Sequence, residues 1–314
     1  MDSGLVQDTG FIWFQGVVED RDDPLKLGRC RVRCLGFHTP NKDQLKTEDL
    51  PWAHPVQPIT SAAMNGLGQT PVGLVTGTWV FGFFRDGINA QHPVIVGTMG
   101  GIPQSTADTN FGFSDPSGIY PKEDFVGEPD TNRLARNENI DQTIVQTKTD
   151  NLDEMEIATG VGGQDTITEP VTPYAAQYPL NKVNESESGH IIEIDDTEDA
   201  ERIHVYHKSG TFVEIHPDGS MVRKVANKSH EVFVDDNNIH VKGDHNITVD
   251  GNLNIYTKGD VTMKTDGNFK HDVEGAYELN VGGNVHLIAN NGMTSISMVG
   301  GNIRQIATTA IHLN

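Results

Sequence analysis

The chain is poor in several things at once, and each shortage excludes a class of protein. Only two of its 314 residues are cysteines, Cys30 and Cys34, too few for a disulfide framework. Aromatic residues make up 7%. No run of eighteen apolar residues occurs, so no transmembrane helix is expected. MDSGLVQDTG at the start has neither a basic region nor an apolar core, so no secretory signal is expected and synthesis in a cytosol is. Basic residues are scarce: 23 Lys and Arg stand against 44 Asp and Glu, a net charge of −21. The excess lies mid-chain, with 9 basic against 24 acidic residues over 101–224, compared with 8 against 10 before and 6 against 10 after. Nucleic-acid partners need a basic face, so none is expected.

What the chain has in quantity is glycine, 33 residues, and near the C-terminus it is periodic. Gly243, Gly251, Gly259, Gly267, Gly275 and Gly283 recur every eight residues. Two places before each stands Val241, Val249, Thr257, Thr265, Val273 or Val281, and directly after each comes Asp, Asn or Ala. The fifth and seventh octad positions are mostly apolar, as in Leu253 and Ile255 or Tyr277 and Leu279. Spacing by two marks a strand with one buried face. Glycine next to Asp or Asn suits a sharp corner at φ > 0, so valine at Gly275 is expected to break it. Asn227, Asp235 and Asn291 fill the same slot in flanking octads.

A single octad strand is too short to shelter its own apolar side and must stack. A lone solenoid would leave open edges. Three copies wound together close the prism, which predicts a homotrimeric needle over 225–314. A single-chain β-solenoid is the alternative.

Upstream, FIWFQGVVED (11–20), GRCRVRCLG (28–36), GLVTGTWVFGFF (73–84) and HPVIVGTMGG (92–101) read as strands of a small closed barrel. Phe11, Trp13, Trp79, Phe81 and Phe83 are expected in its core, and Cys30 and Cys34 as reduced core residues. Residues 102–187 are rich in Pro, Gly, Asp, Thr and Asn without a period and read as an extended connector. Residues 188–224 resume strand patterning with hairpin turns at DDTEDAE, HKSG and HPDGS, forming a lead-in sheet.

The block ESESGHIIEIDDTEDAERIHVYHKSGTFVEIHPDGSMVRKV followed by VxGxxxxx octads resembles the central spikes of contractile-tailed bacteriophages, with type VI secretion VgrG spikes as similar. In that light residues 1–101, with GTWVFGFFRDGINAQHPVIVG, resemble the family's OB-fold, and EPDTNRLARNE and EPVTPYAAQYPLNKV its connector. The resemblance implies an all-β protein: OB-fold barrel, extended connector and intertwined triple-stranded β-helix. It implies a virion baseplate protein that docks its barrel on a tail hub and pierces the host outer membrane when the tail contracts.

Two departures from the family pattern matter. The T-even spike has a lysozyme domain between barrel and connector, whereas here about 80 linker-like residues stand there. No catalytic residue, cofactor or enzymatic role is therefore expected. Some short spikes end in His-x-His, whereas this chain ends ATTAIHLN with a single outward His312. That predicts a blunt tip able to receive a separate PAAR-like protein. His245 and His271 fall at inward octad positions, where three copies could ligate a metal, although a packed core histidine is the simpler reading. The rival functions are a cell-wall hydrolase or depolymerase on a β-helical stalk, a receptor-binding fibre and a type VI spike.

Overall fold

In β1 (Ile12–Asp20), Phe14 and Val18 are buried while Trp13 and Gln15 point outward. This alternation, in a computed structural model that describes residues 11–160 and 163–286, sets the inside of a closed barrel. The other staves are β2 (Cys30–Cys34), β3 (Trp52–Pro55), β4 (Trp79–Phe84) and β5 (Pro93–Thr98), closed in the order β1-β2-β3-β5-β4. Only β3 and β5 pair in parallel. Phe14, Val18, Cys30, Val32, Cys34, Ala53, Val80, Phe84 and Ile95 fill the interior. Closure leaves the barrel no free sheet edge.

The outer aromatics differ from expectation. Phe11 and Trp13 are more than half exposed, Trp79 is 38% exposed, and Phe81 and Phe83 are half-buried. Trp13 lies opposite Phe83 in the ladder, so both point to the same outer side, where Trp13 stacks on Phe81. The inside belongs to Phe14, Val80 and Phe84, the other parity of the same strands. Cys30 and Cys34 are buried free thiols, and desolvation pushes them up to about 11 and about 12, which keeps them protonated and unreactive.

Gly82 is where the wall of the barrel allows no side chain. A Cβ there would lie 1.9 Å from the Val94 carbonyl oxygen and 2.9 Å from the Phe14 ring. Gly82→Ala is expected to lower stability by about 1–3 kcal/mol, the cost of overpacking a closed core. The shift of the urea midpoint at unchanged m-value measures it; an unmoved midpoint would mean that β5 can back away.

A buried ion pair ties the connector to the barrel. Arg33 on β2 donates from Nε to Glu19 at 2.6 Å, and both side chains are fully buried. The same guanidinium donates to the carbonyls of Thr39 and Leu45, and the Phe113 backbone N–H donates to Glu19 at 3.3 Å.

Residues 102–187 contain more structure than a linker. A short helix α1 (Arg133–Arg136) is capped by Asn132, whose side chain accepts from the Leu134 N–H, and ends at Asn137 in the left-handed region. A second helix α2 (Ile144–Asp150) is capped by Thr143. A hairpin follows, β6 (Glu154–Gly160) with β7 (Gly163–Thr168). Leu134 is buried against Ile191, Tyr206 and Phe212, with Ile140, Ile144, Val145 and Tyr174 beside it. These apolar residues are spread too thinly for a periodic signal, but they suffice to pin the segment to a sheet.

That sheet is β8 (Asn181–Glu185), β9 (Ile191–Asp195), β10 (Arg202–Tyr206), β11 (Phe212–Ile215) and β12 (Met221–Lys224), an antiparallel meander in chain order. It begins inside the expected connector, because Asn181–Glu185 pairs along its whole length with β9.

The chain divides into two units. One holds the barrel, the connector helices and the five-stranded sheet, up to 153 and again over 168–239; the other holds 154–167 and the chain from 240 onward.

Candidate functional site

The five-stranded sheet is turned against the usual polarity. On β9, β10 and β11 the buried face carries Glu193, Asp195, Arg202, His204 and Glu214, together with Ile191, Tyr206 and Phe212. The opposite face carries Ile192, Ile194, Ile203, Val205, Val213 and Ile215, each between 37% and 50% exposed. Ile203 lies directly between Ile194 and Ile215, and Val205 between Ile192 and Val213. The six thus form a flat grid of branched aliphatic side chains, two deep and three wide. A sheet normally covers such a face and wets the charged one.

The charged face stays dry because its charges are matched. Arg202 donates to Glu193 and Glu214, both at 2.9 Å, and lies over the Tyr174 ring. Lys148 of α2 reaches Glu214 at 2.5 Å, and Thr172 donates to the other oxygen of that carboxylate. His204 Nδ1 lies 2.8 Å from Glu193, and Asn181 donates to Glu193 at 3.0 Å. Glu193 and Glu214 are matched by the two cations, with a histidine that burial pushes toward its neutral form, while Asp195, the third carboxylate of the face, accepts from the Thr197 N–H and hydroxyl. Burial alone would raise both carboxyls. His204 and Arg202 outweigh it at Glu193, Lys148 and Thr172 outweigh it at Glu214, and both sit at about 2. The helix and the strands before the sheet are thereby fastened to its polar side, which leaves the aliphatic side outward.

The sign of the pH dependence follows. Carboxyls whose folded pKa is depressed stabilise the fold above their unfolded value near 4.5, and that stabilisation is lost as pH falls toward about 2. His204, also depressed, acts in the same direction, beginning below its unfolded value of 6.5. Urea midpoints are expected to decline from pH 7 to 5 and more steeply from 4.5 to 2.5. A midpoint that rose on acidification would contradict the network.

In the octads the backbone bends at 242–243, 250–251, 258–259, 266–267, 274–275 and 282–283, one bend per repeat, and each bend ends on one of the six periodic glycines. Bends at 226–227 and 234–235 of the first unit keep the same spacing, with Asn227 and Asp235 in the slot. The reason expected for glycine does not hold in the single chain. None of the six has a positive φ, and a Cβ built on any of them meets nothing within 4 Å. Valine at Gly275 would therefore meet no obstacle within one chain.

Among the described residues, 225–286 form no strand ladder. Val241, Val249, Val273 and Val281 are 41–46% exposed. Ile247, Leu253, Ile255, Val261, Met263, Phe269, Tyr277 and Leu279 are more exposed still. His245 is exposed. His271 has its ring edge-on to Tyr277, 5.0 Å away, and to Phe269, 6.5 Å away. No group of three or more potential metal ligands occurs among the described residues. His312 and the octads after residue 286 lie outside them.

The sequence alone does not announce the aliphatic grid. IIEID and RIHVY show that two faces differ but not which one is covered. Lys148 and Thr172, which decide it, lie 66 and 42 residues from Glu214.

Residues 36–179 match the family model described as the Gp5 N-terminal OB domain. "Protein Gp5" of Vibrio phage KVP40 is 48% identical over 262 residues, covering 74% of this chain and 62% of that protein. The "Pre-baseplate central spike protein Gp5" of Enterobacteria phage T4 is 50% identical over 115 residues, covering 35% of this chain and 20% of that protein. The chain thus spans less than two thirds of the length of either relative.

Proposed function

We propose, for a chain that is a homologue of the T4-like Gp5 baseplate central spike proteins, the role of a homotrimeric spike of a phage baseplate. Three copies wind their octads into a triple-stranded β-helix with corners at Gly243, Gly251, Gly259, Gly267, Gly275 and Gly283. The domains are the barrel to about residue 101, the connector to about 180, the five-stranded sheet from Asn181 to Lys224 and the needle beyond. The barrel docks on a tail-hub protein, the far end carries a PAAR-like tip protein, and contraction drives the needle through the host outer membrane. Synthesis is in the host cytoplasm and the working location is the virion.

One observation carries this reading: each of the two units has a regular set of large apolar side chains without cover. A soluble chain does not leave the aliphatic grid and the octad side chains open to water. Both are regular and run along strands or strand-like repeats, which suits identical copies better than an irregular partner. Strand pairing between copies would also satisfy the unpaired octad backbone. The role is mechanical: a shaft whose hydrogen bonds all run between chains can open only by breaking many together, so it resists detergent kinetically.

Molecular mass in solution, with and without hot detergent, tests the assembly. Three chains, persisting in detergent, are expected. A well-folded single chain at working concentration would end the proposal. Purified protein is expected to leave peptidoglycan suspensions turbid, and clearing would restore the hydrolase reading.

A further inference from the structure

We infer that the hairpin of β6 and β7 is a clasp for the top of the needle, with one edge on its own first octad and the other on a second copy of the chain. The inference rests on the three-fold assembly proposed above and adds a contact that the octad repeat does not contain.

The hairpin leaves the connector at a fixed stem. The Glu169 N–H donates to the Asp153 carbonyl at 2.8 Å, and the Asp153 N–H donates to the Glu169 carboxylate at 3.1 Å. Lys224 bridges the two carboxylates, 2.9 Å from Asp153 and 2.7 Å from Glu169. Lys224 is the last residue of β12, just before the bend at 226–227 that starts the octad register. The stem is therefore built where the chain turns into the needle.

From that stem the hairpin groups with the octads rather than with the sheet. Among the described residues its two strands pair only with each other. Met155 is 47% and Ile167 38% exposed, and all of β7 except its first residue is exposed. A solitary two-stranded ribbon is marginal in water and needs a further strand or a packed face. One edge has a partner: Thr248, at the end of the first octad, donates its hydroxyl to the Glu156 carbonyl on β6. The β7 edge has none among the described residues.

The octads have the complementary need, a backbone without ladder partners. With β6 against its own chain, β7 is left to meet the early octads of a neighbouring copy. This would block the open edge at the start of the braid, where a ladder is otherwise exposed to wrong partners.

Two changes to the full chain test this. In the first, a photoreactive benzoylphenylalanine replaces Ile167. In the second, residues 154–167 are replaced by two glycines, leaving the stem intact. Expected are photoadducts joining two chains, with cross-linked peptides from 241–256, and dissociation of the deletion variant in hot detergent about tenfold faster than the parent, the effect of losing a few cross-strand pairs. Adducts confined to one chain, or a deletion variant that dissociates at the parent rate, would overturn the clasp. A parent protein that is itself a single chain would instead overturn the assembly, so the two failures are distinct.

Discussion

Arg202→Met is expected to lower the stability of the first unit by about 3–5 kcal/mol, the cost of breaking a buried ion network by removing one member. Arg202 is 2% exposed and, among the described residues, is the only side chain bonded to both Glu193 and Glu214. Without it, Glu193 retains only His204 and Asn181, neither a fixed cation, while Glu214 keeps Lys148. Methionine fills much of the volume, so the loss reports charge rather than cavity. Natural domains have about 5–15 kcal/mol in total, so the change removes a large fraction. Urea unfolding followed by the fluorescence of Tyr174 and Tyr206 measures it. The sheet's polar face should open first, since α2 is held there by Lys148. A loss below about 1 kcal/mol would mean that water reaches the carboxylates and the network is not dry. Replacing Arg202, Glu193 and Glu214 together by apolar residues is expected to cost much less than Arg202→Met alone, because no unpaired charge then remains buried.

Ile203→Asp is expected to abolish the proposed three-chain assembly while sparing the fold of each chain. Ile203 is 49% exposed at the centre of the aliphatic grid, flanked by Ile194 and Ile215. Within one chain an Asp there stays in water and costs within about 0.5 kcal/mol, as surface substitutions do. In the assembly three carboxylates would be buried without partners, each at a cost of several kcal/mol. The solution mass should fall from three chains to one with the far-ultraviolet spectrum of the barrel and sheet unchanged. A variant that still sediments as three chains would place the aliphatic grid outside the interface, whatever holds the octads.

These two residues sit next to each other on β10, and together they show what a strand sequence can and cannot say. RIHVY alternates between charged or aromatic and aliphatic residues, so a two-faced strand was legible. The ordinary rule hides the aliphatic face, and in the single chain the rule fails because Lys148, Thr172 and Leu134 come from far upstream to cover the charged one. The barrel shows the same limit on a smaller scale. FIWFQ announces a strand rich in aromatics, but a single change of parity moves Trp13 outside and Phe14 inside. The short connector helices, each closed by a cap residue and one or two apolar contacts, had no period to detect.

By itself the sequence determined the local repeat: a strand period of two in the barrel and the sheet, a bend every eight residues in the octads, and a strongly acidic balance. It carried too the motifs that resemble contractile-tail spikes. Only the tertiary structure decided which face of the sheet is left bare, which aromatics leave the barrel core, and that the connector is fastened by a buried charge network. The reason is range. Bends and alternation are set by residues two to eight apart, whereas cover comes from side chains dozens of residues away, whose matching charges no local pattern can announce.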